Sequence, residues 1–149
     1  MNEKLTSALR VLLADNVALK HKSQGYHWNV EGDDFPQFHD FFGHIYENFE
    51  GATDTFAEWL RMLKMYAPYR ITDFFDISTV TEPILVGDVE PMLKDLYDSV
   101  ELHIDNLIVA GDLANDAKEY GLANFFAERQ TECQKMCWQM RVSMETEQY

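Results

Sequence analysis

The sequence predicts an all-α fold, a bundle of four long helices with a long crossover between the second and the third. Hydrophobic residues make up 46% of the 149 residues, which is enough for a substantial core. Only seven glycines and four prolines interrupt the chain, and this favours long helices over many short strands. Apolar residues recur with the helical period in four stretches. We expect a single domain that spans residues 1–149.

The first two helices follow from the first two apolar stretches. The period predicts a helix over residues 3–28, which ends at the turn-forming residues 30–33. A second helix then continues to about residue 65, and Asp33 or Asp34 is a suitable N-cap for it.

The rest of the chain predicts a crossover and two more helices. Residues 66–88 contain two prolines, a glycine and the short apolar piece 71–77, so we expect a crossover that holds a small helix. A third long helix follows over residues 89–116, Gly121 marks a turn, and a fourth begins near Leu122. Four long helices with a long middle crossover describe the ferritin-like four-helix bundle, although other helical bundles share much of this pattern.

The charge of the chain is strongly acidic. Its 26 acidic and 12 basic residues give a formal net charge of −14, which repels the phosphates of DNA. An acidic excess suits hard cations such as iron, and solubility is the alternative explanation. No apolar run approaches a membrane span, and the first ten residues lack a signal-peptide pattern, so we expect a cytoplasmic protein without membrane association.

The two cysteines, Cys133 and Cys137, lie one helical turn apart in an apolar pattern. This spacing predicts buried, reduced thiols. A zinc site would need further ligands nearby, and only Trp138 and Met140 follow the cysteines.

Two carboxylates on the second helix form a candidate cation site. Asp54 and Glu58 are four residues apart, so they project from one face at about 6 Å along the axis. Such a pair binds a hard or borderline cation. An exposed acidic face without a ligand is the alternative.

Two histidines extend this site only if a second chain takes part. His39 precedes Asp54 by fifteen residues and lies on nearly the same face, but about 22 Å away along the axis. Two copies of the helix packed antiparallel about a two-fold axis would bring His39 of one chain opposite Asp54 and Glu58 of the other, crossing near Glu47. His27 ends the first helix and can join His39. Two imidazoles and two carboxylates fit ferrous iron, whereas structural or surface histidines are the alternative.

The same residues resemble a known family signature. The sequence HWNVEG over residues 27–32, then His39, Asp54 and Glu58 at spacings of twelve, fifteen and four, resemble the Dps family, the DNA-binding proteins from starved cells. The last helix resembles that family more weakly, through residues 122–126 and four later side chains: Arg129, Lys135, Trp138 and Arg141.

The resemblance implies a specific activity and assembly. Dps-like proteins form shells of twelve subunits with metal sites at the two-fold interfaces. By this resemblance, His27 and His39 of one subunit and Asp54 and Glu58 of its neighbour would be both catalytic residues and iron ligands. Ferrous iron would be oxidised there, usually by hydrogen peroxide, and stored as ferric mineral, which gives a role in iron storage and oxidative stress. Trp28 would lie beside the site, with core packing as its alternative role.

The chain also departs from the family pattern. Gly43 stands where many members carry an acid that helps a second iron, and His44 follows it. Trp59 replaces the usual arginine after the site glutamate. These changes leave an alternative open: a structural or DNA-shielding shell with a weak or inactive ferroxidase site. DNA binding itself is not expected, because no basic tail is present and the chain end carries Glu145 and Glu147.

Overall fold

The four long helices of the bundle and the small crossover helix are all present. The structure is a computed structural model that describes residues 2–144. In chain order its elements are α1 (Glu3–Asn29), β1 (Val30–Glu31), α2 (Phe35–Met62), α3 (Ile71–Ile77), β2 (Gly87–Asp88), α4 (Val89–Asp116) and α5 (Tyr120–Met144). This architecture confirms the predicted ferritin-like all-α fold. The acidic residues 145–149, part of the argument against a basic tail, lie outside the described residues.

The core runs along the bundle axis and draws apolar side chains from all four long helices. At the centre lie the largest of them, fully buried: Phe42, Phe49, Phe56, Phe126, Leu9, Leu12, Leu60, Met92 and Leu93. Cys133 and Cys137 are buried and unpaired, as predicted. Burial raises the pKa of Cys133 to about 11 and that of Cys137 to about 12, so both thiols stay protonated at neutral pH.

Both ends of α2 differ slightly from the prediction. Asp34 occupies the N-cap position, but its side chain makes no capping hydrogen bond, so the expected cap by Asp33 or Asp34 is absent. At the other end α2 stops at Met62, because Lys64 adopts a positive φ of 68°. The Met65 amide then donates to the Leu60 carbonyl, which closes the helix end.

A short parallel pairing joins β1, which follows α1, to β2 at the end of the crossover. Val30 of β1 pairs with Gly87 of β2, and Glu31 pairs with Asp88. This contact ties the end of α1 to the start of α4. The sequence predicted only a stop signal and a crossover here, because two residues are too few to show strand alternation.

A buried carboxylate holds the crossover against α1. Asp15 is 1% exposed and accepts hydrogen bonds from the Ser78 hydroxyl, the Thr79 amide and the Thr79 hydroxyl, at 2.7 to 2.8 Å. Three donors offset much of the cost of burying the carboxylate. They fix where the crossover leaves α3.

A buried ion pair connects α1 to α4. The Lys22 ammonium lies 2.7 Å from an Asp95 carboxylate oxygen and donates to the Ser99 hydroxyl at 2.9 Å. The Tyr26 hydroxyl donates to the same Asp95 oxygen at 2.6 Å. Burial, and then the bond to Asp95, raise the pKa of Tyr26 far above its ordinary value. Among residues 2–144, no helix is long and apolar enough to cross a membrane.

Candidate metal site

The turn between α1 and α2 brings His27 and His39 into direct contact. Their rings stack with centroids 3.8 Å apart and planes inclined by 12°. The Nδ1 atom of each ring lies 2.6 Å from the backbone carbonyl oxygen of the other residue. A carbonyl oxygen can only accept, so each Nδ1 carries the proton. In the neutral form of each ring, the lone pair is then on Nε2, which is the arrangement of a metal-binding histidine with a backbone partner.

The packing around His27 depends on a missing side chain. A Cβ atom at Gly43 would lie 3.1 Å from both Nδ1 and Cε1 of His27, closer than side chains normally approach. Gly43 therefore lets the His27 ring lie against α2. Phe35 stacks on His39 at 5.0 Å, and the ring of Tyr46 lies 5.4 Å from that of His27.

The two carboxylates lie on the exposed side of α2. Within the described residues, neither Asp54 nor Glu58 has a hydrogen bond or an ion pair, and both are exposed. The helix places them about 22 Å or more from His39 along its axis. Across residues 2–144, no three His, Cys, Asp or Glu side chains come together in a way that would hold a metal ion. One chain thus contributes an imidazole pair and a carboxylate pair at separate places.

Three further residues that the sequence singled out have clear positions. Trp28 is 65% exposed, so core packing is the wrong interpretation of it within the single chain. His44 is exposed and lies along a groove between α2 and α5, near Glu132, rather than beside the histidine pair. The Trp59 ring packs against Gly121, where an added Cβ would lie 3.2 Å from it. Trp59 is therefore a packing residue at the turn between α4 and α5.

The mutual contact of the histidines has no sequence signature. His27 and His39 carry a family spacing, but the carbonyl partners belong to the backbone of the same two residues. Only the tertiary packing of α1 on α2 brings these carbonyls within reach. The contact of Gly43 with His27 likewise depends on helix packing.

Comparisons with known proteins show the family of the chain. A family model described as a ferritin-like domain matches residues 6–147. A low temperature-induced protein of Nostoc is 30% identical over 89% of this chain and 75% of its own length. "DNA protection during starvation protein 2" of Bacillus anthracis is 22% identical over 95% of this chain and 97% of its own.

The fold also matches a solved structure closely. The Dps protein of Vibrio cholerae, described as a member of a superfamily of ferritin-like diiron-carboxylate proteins, superimposes with a TM-score of 0.92. It is 22% identical and covers 96% of this chain and 90% of its own, which shows the shared fold. The chain belongs to the ferritin-like family, and its Dps-named relatives and fold neighbours support the resemblance to Dps proteins.

Proposed function

We propose that the protein oxidises ferrous iron with hydrogen peroxide at sites shared between two chains, and stores the ferric product inside a shell of twelve subunits. Each site takes His27 and His39 from one chain and Asp54 and Glu58 from its two-fold partner. Iron storage is the role of this family, and ferritin-like diiron-carboxylate proteins generally oxidise ferrous iron.

The observation that carries the proposal is the state of the two imidazoles. Both Nδ1 protons point to backbone carbonyls at 2.6 Å, so both Nε2 lone pairs are available to a metal without a change of tautomer. Two neutral imidazoles and two carboxylates form a mixed nitrogen and oxygen donor set that fits ferrous iron. The carboxylates favour the ferric product, because their negative charge offsets its additional positive charge.

A second chain is needed to complete the donor set. Asp54 and Glu58 have no partner among residues 2–144, and they lie on the same helix as His39 but far from it. An antiparallel pair of α2 helices makes two equivalent sites by symmetry.

Exposed apolar side chains of the crossover region also favour association. Each of these large residues is at least 68% exposed in the single chain: Tyr66, Tyr69, Ile71, Phe75, Ile84 and Val86. Many large apolar side chains exposed within one segment favour burial against a partner surface, because exposed apolar surface is often covered by association. We infer that the assembled shell covers part of it.

The proposed reaction balances with two ferrous ions for each peroxide. Each ion gives up one electron, the O–O bond breaks, and the two oxygen atoms leave as water after taking up two protons. The residues of this chain bind the substrate ions and hold the imidazoles in one tautomer. Gly43 supplies no carboxylate beside the histidines, so we expect one tight iron position per site and a weaker second one.

Single substitutions test the proposal. Ferrous iron is added without oxygen, hydrogen peroxide follows, and near-ultraviolet absorbance records ferric iron in the wild type, His39→Ala and Asp54→Ala. We expect both substitutions to slow oxidation at least tenfold. His44→Ala and Asp98→Ala are matched controls, because both residues are exposed and lie outside the proposed site. Wild-type oxidation no faster than that of free iron, or equal rates in all variants, would instead favour a structural shell.

A further inference from the structure

The interior of the bundle contains two polar side chains around one aromatic ring. Phe49 of α2 is fully buried. The His103 ring of α4 lies edge-on to it with centroids 6.2 Å apart, and the Arg129 guanidinium carbon of α5 lies 5.8 Å from its centroid. His103 is 1% exposed and Arg129 is 7% exposed. Neither residue takes part in the proposed iron site.

Most polar atoms of this pair have no hydrogen-bond partner. Both ring nitrogens of His103 and the Nε and Nη2 atoms of Arg129 are buried without one among the described residues. Buried polar groups nearly always have partners, because an unpaired one costs about 1–3 kcal/mol, and more if it is charged. The pair thus presents four N–H groups, one on Nε and two on Nη2 of Arg129 and one on neutral His103.

The charge of the pair is also uncompensated. Within residues 2–144, no carboxylate oxygen lies within the 4.0 Å of an ion pair with Arg129; the nearby Glu132 accepts from Asn48 at 2.8 Å. Burial, and then the charge of Arg129, lower the pKa of His103 to about 3, so His103 is neutral at pH 7. A buried arginine next to a neutral imidazole leaves one net positive charge in the core.

We propose that Arg129 and His103 hold a small monovalent anion of the halide class inside the bundle. The anion accepts hydrogen bonds from the free N–H groups and neutralises the positive charge of the guanidinium. A metal cation is excluded by the charge of Arg129, and a water molecule would satisfy donors without neutralising the charge. A larger anion such as phosphate would need more donors than this pair offers.

Bromide locates the anion directly. Crystals of the assembled wild-type protein are soaked in sodium bromide, and anomalous diffraction is measured at the bromine absorption edge. We expect a peak at hydrogen-bond distance from Arg129 and His103 in each subunit. Water density without an anomalous peak at this position, or anomalous peaks confined to the surface, would overturn the proposal.

Thermal unfolding gives a second readout that does not need crystals. The melting temperature is measured in sodium chloride and in sodium gluconate at equal ionic strength. For the wild type, each tenfold increase of the chloride concentration above the dissociation constant of chloride should raise the melting temperature by about 3 °C relative to gluconate. Arg129→Met and His103→Phe should lose this difference, whereas Lys94→Met, which removes an exposed cation on α4, should keep it. A chloride effect that persists in Arg129→Met would contradict the proposed site.

Discussion

His27 and His39 orient each other through their own backbones. Each imidazole donates to the carbonyl of the other residue, so the two bonds form a closed pair between the end of α1 and the start of α2. The ring nitrogen that does not bind the metal usually donates to a carboxylate, a backbone carbonyl or water. Here its acceptor is the backbone carbonyl of the other histidine. Loss of either side chain removes the donor to the other residue's carbonyl, whereas the remaining imidazole keeps its own backbone acceptor.

Gly43→Ala should weaken metal binding. The new Cβ would lie 3.1 Å from the His27 ring, so the ring must move by a few tenths of an ångström or rotate. Changes next to metal ligands typically cost tenfold to a hundredfold in affinity. Titration of the assembled protein with cobalt(II), followed by its visible absorption, measures this loss.

Gly51→Ala is the matched control on the same helix. A Cβ at Gly51 meets nothing within 4 Å, so the alanine should only raise the free energy of unfolding by about 0.5–1 kcal/mol. Equal cobalt affinity in Gly43→Ala and the wild type would show that His27 has room to spare and that Gly43 does not position it.

For individual residues, the sequence predicted the candidate site side chains better than it predicted their hydrogen bonds and packing contacts. The spacing of His27, His39, Asp54 and Glu58 indicated a shared site, and in the structure the histidines do lie together. That prediction of the four ligands stays a prediction. The sequence did not predict that Trp59 packs on Gly121 or that His103 and Arg129 both pack on Phe49, because these contacts join different helices.

At the scale of the element, the contact of α1 with α4 rests on a buried ion pair. The side chains of Lys22 and Asp95 are 3% and 16% exposed, and Tyr26 and Ser99 complete their hydrogen bonds. Breaking one partner of such a pair leaves the other charge buried, which is far more costly than losing a surface pair.

Asp95→Asn should lower the free energy of unfolding by about 3–5 kcal/mol, because the Lys22 ammonium would lose its counter-charge in the bundle. Asp98→Asn is the control, since its pair with Lys94 is exposed and should contribute less than about 1 kcal/mol. Urea unfolding of both variants measures the difference. Similar losses in the two variants would mean that solvent reaches Lys22.

The apolar period predicted the positions of the helices closely, but it did not predict the short strands or the exact end of α2. The small helix and the third long helix were predicted at residues 71–77 and 89–116, and α3 and α4 occupy those residues. The two-residue strands and the early end of α2 were missed. These features depend on a single pairing and on one positive φ angle at Lys64, neither of which has a repeating pattern.

In the whole molecule, the side chains of the proposed site lie in two separate places. Its histidine pair and its carboxylate pair are separate, and its crossover exposes large apolar side chains. The apolar pattern predicts a fold for one chain, whereas a site between chains follows only from helix geometry and symmetry. We therefore expect each oxidation site to be built from two chains.

Mixed assemblies distinguish sites shared between chains from sites within one chain. His39→Ala and Asp54→Ala chains are produced separately and together in equal amounts, and the initial rate of peroxide-driven iron oxidation is compared at equal subunit concentration. In a mixed dimer, one site carries both substitutions, while the other combines wild-type His39 and wild-type Asp54. Random pairing therefore restores roughly one quarter of the wild-type sites. We expect about a quarter of the wild-type rate from the mixture and almost none from either parent; a mixture no faster than its parents would contradict shared sites.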